Sequence, residues 1–287
     1  MALKDILVYL DQNEPAQARL RLAVDLACHH RSFLTALFVR EHDQAQLDQR
    51  RVAELGCASA GQVERLDRRT QTSWNAAAAL LKSALQTLAG KCGIDVEWRE
   101  VEGRLTVVGP QHARYTDLVI LGHEVQPGHA SIDHSFDEQM LFTGGRPVLF
   151  IPPGWSSTTL GRRIAVAWNS SRASARAAHD ALPLIEQAER TLVLTLNPAD
   201  FIDRHGALPA EQLLEHLKRH GAAVQLARLD GVRGDAIAAT LQSKALEAGA
   251  DLLVTGAFGQ ARLWERIFGG VTIGLLADMR MPILMST

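Results

Sequence analysis

Two hydrophobic patterns alternate along the chain. Short runs in which nearly every residue is apolar occur at 6–10 (Ile6-Leu7-Val8-Tyr9-Leu10), 33–39, 117–122 and 147–151, and the mixed run 96–101 reads as a further strand. Such runs suit strands covered on both faces, as in a parallel sheet. Between them lie longer stretches with apolar residues every third or fourth place. Residues 14–30 carry Ala18, Leu22 and Leu26 at helical spacing, and 74–89 form a second helical stretch closed by Gly90 or Gly93. A short helix is predicted over 105–114. The polar stretch 40–69, rich in Gln, Arg and Asp, reads as a loop with helix inside it.

The same order then repeats. Residues 163–169 answer 5–11, and Ala175-Arg176 stands in the following helix where Ala18-Arg19 stood. Strands are predicted at 192–197, 224–229, 251–256 and 282–285, with helices at 209–220, 235–248 and from Val271 through Met279. Asp251-Leu252-Leu253-Val254-Thr255-Gly256 matches Asp117-Leu118-Val119-Ile120-Leu121-Gly122 class by class. Pro152-Pro153-Gly154 and the serines and threonines after it mark a linker. The pattern predicts two tandem α/β domains, 1–153 and 160–287, each a doubly wound parallel sheet with helices on both faces.

Composition narrows this only a little. With 287 residues, 47% of them hydrophobic, there is enough chain and core for two domains. A formal charge of −2 carries no basic excess, which argues against nucleic acid or an anionic membrane as partner. No run is long enough to cross a bilayer, and the first apolar run, broken by Asp11, is too short for a secretion signal. A soluble cytoplasmic protein is expected. Cys28, Cys57 and Cys92 are odd in number and lack C-x-x-C spacing, so reduced thiols are expected.

Candidate chemistry concentrates at 251–272. A strand ends in Gly256, Gly259 follows, and nine residues later Gly269-Gly270 precede a helix opening with Val271-Thr272. Helix N-termini present unpartnered N–H groups and a positive dipole end, and glycine lets an anion approach the backbone. Glycines at such places are also ordinary turn and cap residues. The spacing G-x2-G-x9-G, with a small residue next, resembles the nucleotide loop of the universal stress protein family. So do the strand before it and the ending Met281-Pro282-Ile283-Leu284-Met285. Family members carry Ser or Thr straight after the third glycine; here Gly270 keeps only the backbone N–H.

The resemblance covers nearly the whole chain and implies five strands per domain in the order 3-2-1-4-5. It implies a stress-response or regulatory protein binding ATP or AMP, with magnesium entering only alongside ATP. It also implies pairing of the two halves through their fifth strands as a pseudo-dimer, with a homodimer as a further option. The ligand is expected in the second domain, around Ala167, Asn169, Leu196, Gly256, Gly259, Arg262, Gly269, Gly270, Val271 and Thr272.

In the first domain Val125 takes the place of Gly259, and Ser135-Phe136 that of the later glycines, amid Glu124, Asp133, Asp137 and Glu138. Carboxylates repel a triphosphate, so this half reads as a degenerate partner. The acid that ends the first strand in the family, and helps hold adenosine there, is matched by Asp11 in this half and by Asn169 in the other. Asn169 reads equally as a turn and cap residue with Ser170-Ser171, Leu196 equally as core, and Arg266 as a solvated charge. Trp264 reads as a cover for the nucleotide or as packing for its own loop.

His123, His129 and His134 have no standard metal spacing, and His216 and His220, four apart on one helix, lack H-E-x-x-H. No metal site is expected. There is no Walker G-x-x-x-x-G-K-[ST], no S-G-G-x-D-S and no H-x-G-H, and no general base accompanies the glycines. Binding is expected rather than turnover. The alternatives are a partner protein that binds no nucleotide, or a weak hydrolase.

Overall fold

A computed structural model describes residues 2–12, 15–41, 60–123, 136–157, 159–196, 210–234, 236–258 and 270–287. In the first half, β1 (Asp5–Leu10), α1 (Pro15–His30), β2 (Phe33–Arg40), α2 (Ala60–Cys92), β3 (Val96–Glu102), α3 (Leu105–Ala113), β4 (Leu118–Gly122), α4 (Phe136–Thr143) and β5 (Val148–Ile151) follow in turn. The second half gives β6 (Arg163–Ala167), α5 (Arg172–Asp180), α6 (Leu182–Ile185), β7 (Arg190–Leu196), α7 (Ala210–Arg219), β8 (Val224–Leu229), α8 (Ala236–Glu247), β9 (Leu252–Gly256), α9 (Gly270–Ala277) and β10 (Ile283–Ser286).

Each half has the strand order 3-2-1-4-5, and all pairs within a half are parallel. The halves meet through their fifth strands, as the resemblance implies: β5 and β10 pair antiparallel, Leu149 opposite Leu284, giving one ten-stranded sheet. Because side chains alternate along a strand, the sheet divides the interior into two cores. Ile6, Val8, Leu149, Ile164, Val166 and Leu284 face α1, α2, α5, α6 and α7. Leu7, Tyr9, Phe150, Ala165, Ile283 and Met285 face α3, α4, α8 and α9. Both cores run through both halves.

The repeat extends to single hydrogen bonds. Asp117 accepts from the Lys4 and Asp5 N–H groups at 2.7 and 3.1 Å. Asp251 accepts from the N–H groups of Gly161, Arg162 and Arg163 at 3.0–3.2 Å. Each acid thus ties the entry of a fourth strand to that of the first strand beside it.

Three local expectations change. The helix expected at 74–89 is the end of a 33-residue helix, α2. Residues 136–143, for which no helix was expected, form α4. Cys28 and Cys92 are joined as a disulfide with Cα atoms 5.9 Å apart, not held as free thiols. Among the described residues, no helix is long and apolar enough to cross a membrane.

Candidate functional site

In the second half β6 and β9 end side by side, Ala167 opposite Thr255. From there the chain goes to α5 on one face of the sheet and towards α9 on the other. This divergence is the switch point at which open α/β sheets hold ligands. Ala167 is buried, and Leu196, only 7% exposed, packs in the same core at the end of β7. Asn169 Oδ1 accepts the Ser171 N–H at 3.1 Å, so its carbonyl makes the turn into α5. The N-cap itself is Ser171, whose Oγ accepts the Ser174 N–H at 3.1 Å.

Gly256 ends β9 directly against α5. A Cβ there would lie 2.4 Å from the Ala173 carbonyl carbon and 2.5 Å from the Ser174 nitrogen. Only glycine lets the helix sit this close. Beyond it, Phe258 adopts φ +54, an unusual conformation for a bulky side chain, and its N–H donates to Thr272 Oγ1 at 3.3 Å. The Thr272 hydroxyl, expected to face a ligand, therefore also ties the exit of β9 to the first turn of α9. Gly270 begins α9 facing open space, and Val271 is packed on the adjoining core. Gly259, Arg262, Trp264, Arg266 and Gly269 lie outside the described residues.

The first-half switch point is built differently. Arg19 comes off α1, is 4% exposed, and lies over Gly122 at the end of β4. Its Nε donates to the Tyr9 carbonyl at 2.7 Å and its Nη2 to Asp11 Oδ2 at 2.9 Å. A Cβ on Gly122 would fall 1.8 Å from Nη1, so the guanidinium occupies the room the missing side chain leaves. Asp11, the acid matched to adenosine by resemblance, is engaged by this internal cation.

Beside it, buried His123 and Asp137 meet through Nδ1 and Oδ2 at 2.6 Å. Asp137 therefore belongs to an internal pair. The Tyr9 hydroxyl donates to the Gly109 carbonyl, and burial pushes its pKa upward. Among the described residues, no group of three or more His, Cys, Asp or Glu side chains is placed to hold a metal.

Arg19 was missed as a site residue, although a signal existed. It is in helical register with Ala16, Ala23 and Leu26 on the buried stripe, where a cation needs a partner. Ala18, counted on that stripe, is exposed. The residue matched to Arg19 by the repeat, Arg176, is exposed and pairs with Asp180 four residues on.

Two polar features lie elsewhere. A cavity of about 370 Å³ opens at the seam between the halves, lined by Asp25, His29 and His30 of α1 and by Arg162, Gln187 and Glu189. The rings of His216 on α7 and His220 just past its end are neighbours, and His220 reaches Glu186 at 3.0 Å.

No protein-family model matches the sequence, and no curated protein sequence matches it. Solved structures do match over 99% of this chain. A universal stress protein from Archaeoglobus fulgidus DSM 4304 superimposes with a TM-score of 0.70 at 16% identity, over 96% of its own length. The fold is that of a tandem universal stress protein. A putative universal stress protein from Pseudomonas aeruginosa UCBPP-PA14 matches with a TM-score of 0.64 at 16% identity, over 93% of its length. A functionally unknown protein from Pseudomonas aeruginosa PAO1 gives the same TM-score and identity over 92% of its length. At this identity the universal stress likeness is one of architecture alone.

Proposed function

We propose that this chain is an adenine-nucleotide-binding stress or regulatory protein that takes ATP or AMP in its second half, with the first half as a closed structural partner. The observation that carries the reading is the contrast between two equivalent glycines. Gly122 is covered by a buried guanidinium already paired with Asp11, whereas the atoms nearest Gly256 belong to Ala173 and Ser174 in the first turn of α5. An internal cation occupies one switch point, and among the described residues backbone and a small side chain lie nearest the other glycine. The glycine spacing 256-259-269 and the helix start at Gly270-Val271-Thr272 supply the main-chain donors a phosphate needs. Ligand held in one conformational state shifts the population towards it, and this is how such a module would signal.

The test is thermal and calorimetric titration of the full chain with ATP and with AMP. At ligand one hundredfold above Kd, stabilisation of about 2.7 kcal/mol is expected. Gly259→Val is expected to abolish it, because a branched side chain takes the place of the open backbone. Undiminished binding by that variant overturns the site. Phosphate release that scales with protein and disappears in Gly259→Val would instead make the protein a hydrolase.

A further inference from the structure

Cys28 stands in the last turn of α1, and Cys92 is the last residue of α2. Both helices close with left-handed residues, Arg31 at φ +53 and Gly93 at φ +68. The Ser32 N–H returns to the Ala27 carbonyl, and the Gly93 N–H to that of Ala89, each at 2.9 Å. The two finished helix ends lie side by side with a Cα separation of 5.9 Å, which suits a disulfide without backbone movement. Cys92 is exposed and Cys28 is half-buried against the core. A small oxidant or reductant therefore has a way in, as it would not for a fully enclosed bond.

What lies next to the pair gives it a consequence. His29 and His30 follow Cys28 directly and line the seam cavity, and His30 Nδ1 meets Gln187 Nε2 of the second half at 3.4 Å. The turn that carries Cys28 is thus also a wall of the junction between halves. We propose that Cys28 and Cys92 form a reversible thiol–disulfide switch, closed by peroxide-class oxidants, that clamps the end of α1 to α2 and so fixes that wall.

In the closing reaction the Cys92 sulfur attacks one peroxide oxygen and the O–O bond breaks. This leaves a sulfenic acid on Cys92 and releases water. The Cys28 sulfur then attacks the Cys92 sulfur, the S–O bond breaks, and a second water leaves. Two thiols and one hydrogen peroxide become one disulfide and two waters, with two electrons passing from sulfur to oxygen. An external thiol reopens the bond by exchange.

The proposal is independent of the nucleotide reading and is tested on the reduced, desalted full-length chain. The protein is treated with hydrogen peroxide, blocked with N-ethylmaleimide, and mapped by mass spectrometry, in wild type and in Cys57→Ser. The expected result is joint loss of alkylation at Cys28 and Cys92, one cross-linked peptide containing both, and full recovery with dithiothreitol without denaturant. Amide exchange in residues 28–32 is expected to slow on closure. In Cys92→Ser, Cys28 is expected to stay alkylatable. Oxidation of one thiol alone, a cross-link through Cys57, unchanged exchange at 28–32, or a bond that dithiothreitol opens only after denaturation would overturn the switch.

Discussion

A single residue decides how the two switch points differ. Arg19 carries its charge into the core and is tolerated there because the Tyr9 carbonyl and Asp11 receive it. Arg176, its counterpart in the repeat, stays in solvent. In His30 burial is the leading effect. Burial first, and the neighbouring His29 second, push its pKa down to about 4 from an ordinary 6.5. Between these values the unfolded chain takes up a proton that the folded chain refuses. Stability is therefore full above about pH 6.5, is lost as pH falls, and levels off near pH 4. The ceiling for this loss is about 3 kcal/mol, less whatever solvent reaches the ring. Urea unfolding across this range should show a smaller acid loss in His30→Asn than in wild type; identical slopes would remove His30 from the account.

Among elements, close contact between helix and strand does most to shape the second-half site. The first turn of α5 rests on Gly256, backbone against backbone, so a methyl group has nowhere to go. Gly256→Ala should cost about 2–3 kcal/mol in urea unfolding. Gly270→Ala, at the open start of α9, should be neutral or slightly stabilising. Equal losses in the two variants would mean that α5 does not constrain the end of β9. The same comparison separates what could be read from the chain from what could not. The runs at β1, β4, β6 and β9 were legible because strands covered on both faces must be apolar throughout. The helix α4 was not, because with Asp137 and Glu138 among its apolar residues its eight residues are too short to show a helical stripe. Asp137 sits inside only because His123, fourteen positions earlier, meets it there.

At the scale of the whole molecule, the seam makes one body of two repeats. Leu149 and Leu284 oppose each other across the antiparallel β5–β10 pair, and both are fully buried. The Phe142 ring of the first half lies 4.5 Å from that of Phe258 in the second. Each of Leu149→Ala and Leu284→Ala should cost about 2–4 kcal/mol. A double-mutant cycle should give a coupling of about 0.5–1 kcal/mol. Because both cores continue across the seam, wild type should unfold in a single calorimetric transition. Two separate transitions, or additive leucine losses, would show that the halves are stable independently.

By itself the sequence determined the α/β class, the tandem repeat and the glycine-rich stretch after the ninth strand. These depend on periodicity and on local backbone freedom, which neighbouring residues carry in full. The tertiary structure decided that both cores run through both halves, that Arg19 fills the first switch point, and that Cys28 and Cys92 meet. Each of these joins residues with no fixed separation along the chain. Burial, pairing and distance arise only when the packed elements bring such residues within reach of one another.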